Sequence, residues 1–435
     1  MSHKIKITIS YVVTMVLTAT LLWNSTNLLE KKDSDIKYAS FFEQDANFDV
    51  LFLGTSHMGY GVYPLELWND YGIVSYNLGG HGNPMATTYW ILENSLNYTT
   101  PKLVVVDCFL LSYMVKTHSL FASVHFSFDA FPNSKTKFAA VYDLLDDSMI
   151  VEQYPEALEA EPRTRLELLW DYSIYHSRWN DLKHEDFEST HLEEKGAEHF
   201  TGIIPSKEAA RIPDERKLEG DTVSIQYLEK IIEDCKNRNI DVLLTYLPFS
   251  ASDSLQEEAN RVYDIAQKHE LNYVNFLDID IINYETDYCD SDYHLNPSGA
   301  RKVTDYLGQY IKKNYNIPDQ RDNSLYADWH ADYNNYVNDK LQSLRELESL
   351  DKYLMSLADK NYSAIIEICN EKILENDYYT SLLENLNNKE LSIVSSGQNT
   401  DYDIRIIVND IHTGEVVDDS CFLMQSSFSK IQRQE

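Results

Sequence analysis

Ser56 and His294, separated by more than half of the 435-residue chain, are the residues best suited to chemistry. A serine hydroxyl attacks an acyl carbon poorly until a base takes its proton, and an imidazole with one free nitrogen is a suitable base near neutral pH. In Phe48-Asp49-Val50-Leu51-Phe52-Leu53-Gly54-Thr55-Ser56-His57 an apolar run stops at Gly54 and delivers a serine. In Asp290-Ser291-Asp292-Tyr293-His294-Leu295-Asn296-Pro297-Ser298-Gly299 a histidine stands just ahead of Pro297 and Ser298, which signal the start of a helix. Either Asp292 or Asp290 can accept the histidine Nδ1–H, fixing the tautomer whose Nε2 is the base and stabilising the imidazolium once formed. Each stretch also has an ordinary reading, a strand that turns and an Asp/Ser-rich loop that caps a helix.

The elements that must position these residues follow from hydrophobic patterning. Five of the six residues Phe48–Leu53 are apolar, too continuous for a half-exposed strand, which suits one buried on both faces of a parallel sheet. Ile73–Leu78, Leu103–Val106, Val242–Tyr246 and Tyr273–Phe276 read as further strands. Helical stretches at Met85–Leu96, Ser254–His269 and Ala300–Lys312 alternate with them, which implies βαβ units and a parallel sheet. Open α/β sheets hold ligands at the carboxyl ends of their strands, where Ser56 falls. Residues 112–220 form a long insertion with aromatic-rich helical pieces such as Leu166–Trp179, suited to a pocket wall or lid. His57, directly after Ser56, is a candidate pocket residue or a cap for the next helix. His176, His184, His191 and His199 show no metal-ligand spacing and read as surface or packing residues. Neither a metal nor a cofactor is expected.

The chain carries 70 acidic and 37 basic residues, a formal charge of −33, which argues against a nucleic-acid partner because phosphate binding needs clustered Lys and Arg. Gly and Pro are scarce, at 14 and 11, so long disordered linkers are not expected. Behind Lys4 and Lys6 lies an uncharged run, Ile7–Trp23, at the lower length limit for crossing a bilayer. No A-x-A cleavage signal follows, and Trp23 stands where an interfacial aromatic belongs. The expectation is an uncleaved single-pass anchor over residues 1–32, with the body outside the cytoplasm.

Taken together, Gly54-Thr55-Ser56 and Asp292-x-His294 make residues 49–316 resemble the SGNH/GDSL hydrolase superfamily. Asn77-Leu78-Gly79-Gly80-His81-Gly82 is similar to that family's second block, Asn-x-x-x-x-Gly. The resemblance implies a three-layer α/β/α domain over residues 33–316 with Ser56 as nucleophile, His294 as base and Asp292 as its orienting acid. It further implies an oxyanion hole from the backbone N–H groups of Ser56 and Gly82. The family's third block, Gly-x-Asn-Asp, is missing, since the third strand runs into Asp107-Cys108-Phe109-Leu110-Leu111-Ser112. Asn83 or a group from the insertion is left to supply the absent amide. With the anchor, these departures resemble the membrane-anchored envelope branch, which includes alginate-type O-acetyltransferases and the teichoic-acid D-alanylation protein. That branch implies acyl transfer or hydrolysis through an acyl-Ser56 intermediate on a glycopolymer or sugar, beside a multipass membrane acyltransferase. The alternative is a non-catalytic scaffold of the same fold that binds such a partner.

Residues 317–435 read as a separate accessory unit. Ser324–Leu357 is helical, Tyr362–Ile368 a strand, Ser381–Leu386 a helix, and Tyr402–Asn409 with Val416–Leu423 a hairpin around His412-Thr413-Gly414. No catalytic grouping is visible there.

Overall fold

The computed structural model describes residues 3–29, 32–44, 47–118, 121–145, 165–170, 177–187, 194–291, 294–386, 389–393, 402–411, 413–423 and 429–433. The chain begins with α1 (His3–Leu29) and α2 (Lys32–Glu43). Then come β1 (Val50–Leu53), α3 (Ser56–Gly61), α4 (Pro64–Tyr71), β2 (Ser75–Asn77), α5 (Met85–Ser95) and β3 (Leu103–Asp107). The insertion contributes α6 (Phe121–Phe128), α7 (Lys135–Leu144) and α8 (Arg165–Leu169). The domain closes with α9 (Val223–Asn237), β4 (Asp241–Tyr246), α10 (Asp253–His269), β5 (Asn272–Asn275) and α11 (Pro297–Asn314).

These strands form one parallel sheet in the order β2-β1-β3-β4-β5. Every residue of β1 and β3 is buried, as the apolar runs Val50–Leu53 and Leu103–Val106 require of strands covered on both faces. Helices α5 and α9 pack together over one face, while α11 packs on α3 and α4 over the other. Helix α9 shows the cause: Ile225, Leu228, Ile231, Ile232 and Cys235 recur at helical spacing and are buried, and Thr222 caps the first turn by accepting Ile225 N–H at 3.1 Å. The chain leaves β1 toward β2 and then crosses back to β3 on the other side. The topological switch therefore lies between β1 and β3, the place where a doubly wound sheet opens a crevice.

A second sheet has its own core. Helices α12 (Asp328–Glu346) and α13 (Leu350–Leu357) lead to β6 (Tyr362–Ile368), α14 (Asp377–Glu384), β7 (Lys389–Ile393), β8 (Ile404–Asp410), β9 (Val416–Leu423) and β10 (Ser429–Arg433). The order is β10-β9-β8-β6-β7, antiparallel except for the parallel pair β6–β7. The even alternation of burial along β6 and β8 marks strands with one face on the core. The expected helix over 324–357 breaks at Leu347, and β7 and β10 were not anticipated, because neither short run carries a strong apolar pattern. The hairpin and β6 stand close to where the sequence put them.

The two units meet over buried charge. Lys340 Nζ lies 2.7 Å from Asp359 Oδ2 and 3.3 Å from Glu66 Oε1, and Arg301 bonds the same two carboxylates at 3.2 Å each. Burial opposes ionisation of Glu66 and Asp359, but Lys340 and Arg301 outweigh it and hold both below the ordinary carboxylate range. Beside them His199 is wedged between Tyr63 and Tyr336, and burial, then Lys340 and Arg301, push its pKa down to about 3. It is a neutral packing residue.

Helix α1 differs from every other element. Its Lys4–Leu22 window has mean hydropathy 1.8 and no burial, so it is long and apolar enough to cross a membrane. Helix α2 returns to the body, where Tyr38, Ser40 and Phe41 are buried.

Replacing Lys340 with Met removes one of two cations from a buried cluster. We expect a loss of about 3 kcal/mol in stability, read as a lower denaturation midpoint. Because the Glu66 and Asp359 pKa values are depressed by folding, the cluster's stabilisation is present above the unfolded carboxylate range. It should be lost as pH falls through the folded values, and less of it should remain to lose in the variant.

Candidate active site

Gly54 ends β1 with φ +151, a conformation L side chains rarely adopt, and a Cβ there would lie 2.8 Å from Asp107 Cβ. The turn swings the chain over the carboxyl end of β3 and starts α3 at Ser56, with Thr55 Oγ1 accepting the His57 N–H at 3.3 Å. The Ser56 N–H is thus in the first turn of a helix, where such groups have no intrahelical acceptor.

His294 comes from a turn built differently. Tyr288 and Leu295 form an antiparallel bridge, Cys289 N–H donates to His294 O at 2.9 Å, and Asn296 N–H to Asp287 O at 2.9 Å. Asn296 anchors the turn from inside. Its Oδ1 accepts from Ser298 N–H and Gly299 N–H to cap α11, and its Nδ2 donates to Thr286 O at 2.7 Å and Gly202 O at 3.1 Å. The result brings His294 Nε2 to 2.7 Å from Ser56 Oγ. On the other side of the ring, Nδ1 lies 2.6 Å from Asp290 Oδ2, while Asp290 Oδ1 accepts the His294 N–H at 3.1 Å.

The carboxylate on His294 is therefore Asp290, and this corrects the expectation of Asp292. The closing pair of the turn is Cys289 with His294, so the residue just inside it, Asp290, faces the imidazole edge and the histidine N–H together. Spacing of Asp-x-His type does not describe that geometry. Asp292 itself lies outside the described residues.

Around the pair stand residues from distant segments. The buried His57 ring stacks on Phe109 at 4.4 Å and meets His294 edge-on at 5.5 Å, which places it beside the pair. Tyr60 lies over His294 at 4.8 Å, and its hydroxyl is hydrogen-bonded to Glu198. Glu198 pairs with Lys37, which also donates to Gly79 O at 2.5 Å. Burial disfavours a charged Glu198, yet the Lys37 ammonium overrides it and keeps the carboxylate below its usual range. The same burial, then Glu198, raises the Tyr60 phenol, so it stays protonated and can donate. His81 completes the rim, 3.7 Å from Glu198, with its pKa lowered by burial. Lys37 and Glu198 carry no sequence signal, and Tyr60 and His81, though they lie in the stretches around Ser56 and Gly82, are not motif positions.

The loop after β2 holds the remaining expected residues. Asn77 Nδ2 donates to Met58 O at 2.7 Å and Val62 O at 2.8 Å, and its Oδ1 accepts Gly79 N–H at 3.0 Å, so this asparagine clamps the loop to α3. A Cβ on Gly79 would lie 2.5 Å from Gly59 N and 2.8 Å from Thr55 O. Gly82 turns with φ +57 beside the His118 ring. Asn83 is buried; its Oδ1 accepts from Ser127 Oγ of α6 at 2.9 Å, and its Nδ2 has no hydrogen-bond partner among the described residues. It stands next to Gly80, whose Cβ would fall 2.2 Å from that nitrogen. Among the described residues no group of three His, Cys, Asp or Glu side chains is arranged to hold a metal ion.

Comparison with known proteins adds little. No protein-family model matches this chain, and no curated protein matches it. A crystal structure from Bacteroides fragilis, described as a "putative acylhydrolase", is similar at 14% identity and TM-score 0.30, over 65% of this chain and 99% of its own. A likeness that low decides neither fold nor chemistry.

One buried acid at the site has no sequence counterpart in function. Asp107, under Gly54, accepts Leu247 N–H at 3.0 Å through Oδ1, and burial pushes its pKa up to about 7. A raised folded pKa contributes stability that is complete below the unfolded value and is lost as pH rises through the folded one. Asp107→Asn should abolish that loss, so its stability relative to the wild type should climb between about pH 4 and pH 7 in pH-dependent denaturation. Fluorophosphonate labelling of Ser56 tests the orienting acid. Asp290→Asn should slow it by on the order of 10³-fold, and Asp292→Asn should leave it within a few-fold.

Proposed function

We propose that this protein is an extracytoplasmic serine acyl-group enzyme, an SGNH-like esterase or O-acyltransferase acting on an acylated envelope glycopolymer or sugar. The observation that carries this reading is the chain Ser56 Oγ–His294 Nε2 at 2.7 Å and His294 Nδ1–Asp290 at 2.6 Å, at the carboxyl edge of a parallel sheet. His294 takes the Ser56 proton as Oγ attacks the acyl carbon, and Asp290 stabilises the imidazolium that forms. The negative charge on the carbonyl oxygen falls to the N–H groups of Ser56 and Gly82, with the unpartnered Asn83 amide as the third donor in place of the missing block. The imidazolium then returns its proton to the leaving alcohol. A second alcohol, or water, enters by the same route and releases the acyl group from Ser56. Loss of the acyl group to water makes the enzyme an esterase; capture by a sugar hydroxyl makes it a transferase.

The apolar helix α1 supports a membrane-bound setting, where a multipass acyltransferase would be the natural donor of exported acyl groups. The non-catalytic alternative keeps the same fold as a platform for that partner. Full-length protein given an activated acetyl ester separates the two. Ser56→Ala should abolish turnover and fluorophosphonate labelling, whereas a wild type that neither turns over ester nor takes the label would be a scaffold. Asn83→Ala should lower kcat by about 10²–10³ with little change in KM. An oligosaccharide acceptor that emerges acylated by mass identifies a transferase; free acid alone identifies an esterase.

A further inference from the structure

The outer end of α1 is built into the body. Arg178, in the insertion, donates from Nη1 to Leu29 O at 2.6 Å, satisfying a carbonyl of the last helical turn that has no intrahelical donor. Arg178 is itself fixed by Asp186, which its Nη2 reaches at 3.0 Å, and Asp186 Oδ2 accepts Lys183 N–H at 2.8 Å. The short turn at His184–Phe187 packs against α1. Residues 178–187 therefore form a collar held on the helix end by buried or half-buried charge.

That collar carries two large apolar side chains facing outward: Trp179 is 67% exposed and Phe187 is 68% exposed. Folding gains nothing from leaving them in water. Their height fits a different environment. Leu29 lies seven residues beyond Leu22, where the uncovered apolar window ends, which at 1.5 Å per residue is about 10 Å above the hydrocarbon edge. The interfacial layer of a bilayer occupies roughly 5–8 Å there, and a tryptophan or phenylalanine side chain spans the remainder. Tryptophan favours such a layer because its ring is amphipathic.

We propose that Trp179 and Phe187 form a lipid-contacting collar that seats the body on the membrane surface around α1. The inference rests on the reading of α1 as a membrane span. It deepens the proposed function, because α2 starts three residues after Leu29 and carries Lys37 directly onto Glu198 and Gly79 at the rim of the Ser56 site. Collar and site are thus linked by one short helix, and a body lying on the bilayer holds Ser56 close to the surface. The occupant is lipid headgroup and upper acyl chain; a protein partner or a second copy of the chain is the competing occupant.

The test uses full-length protein in vesicles of phosphatidylethanolamine and phosphatidylglycerol, with a benzophenone amino acid at position 179 or 187. Tyr263 and Leu325, both exposed and outside the collar, serve as control positions. Irradiation should give lipid adducts at 179 and 187 several-fold above those at 263 and 325, resolved by mass. Equal yields at all four positions overturn the proposal, as do adducts at 179 and 187 that are mainly protein. Protein that alkaline extraction strips from the vesicles also overturns it, together with the membrane span. As a second arm, Trp179→Asp combined with Phe187→Asp should leave hydrolysis of a soluble ester unchanged while lowering adduct yield at a benzophenone placed at 183. An unchanged yield there counts against the collar. Failure of these experiments leaves the Ser56 chemistry standing, since none of them reads turnover as its outcome.

Discussion

The site depends on a close approach of two backbones. The loop after β2 lies directly on the turn after β1, and Gly79 leaves so little space that a single methyl group would sit 2.5 Å from Gly59 N. Asn77 locks the contact by bonding carbonyls of α3 on one side and Gly79 on the other. Interiors packed to crystal density transmit such a constraint without slack. Ser56 is consequently held against the loop that carries Gly82 and Asn83, the rigidity that the proposed oxyanion hole would require.

A second constraint comes from opposite ends of the sequence. His294 is held from beneath by Asn296, which caps α11, and from the side by Asp290. Above it lies Tyr60, tied through Glu198 to Lys37. Lys37 is in the first helix after the apolar segment, and Glu198 lies within the insertion. The imidazole therefore sits where α3, the last helix of the sheet domain, the insertion and α2 converge. An ion pair of this kind stabilises only when both partners and their remaining hydrogen bonds are in place, which ties the order of the site to the docking of α2.

The C-terminal unit shares the same logic at a distance from the chemistry. Its helix α12 reaches the parallel-sheet unit through Lys340, whose partners Glu66 and Asp359 come from one unit each. A buried charged cluster adds little net stability over apolar packing but tolerates few alternative arrangements, so it fixes orientation more than it adds cohesion.

Much of the architecture could be read before the structure. The apolar runs at 50–53, 103–106 and 242–246 are strands because a run without alternation can only be satisfied between two layers. Ser56 was legible because it follows the abrupt end of such a run, and His294 because it stands just ahead of a helix start. The sequence by itself determined the alternating α/β order, the apolar N-terminal helix and the residue types capable of nucleophilic chemistry. Only the tertiary structure decided which aspartate meets His294, since the pairing of Cys289 with His294 turns Asp290 toward the ring. Only the structure brought Lys37, Tyr60 and Glu198 to that ring, across separations at which local pattern carries no information. The physical reason is common to both: periodicity reports which face of an element is buried, whereas a site is assembled from element ends whose meeting is set by packing.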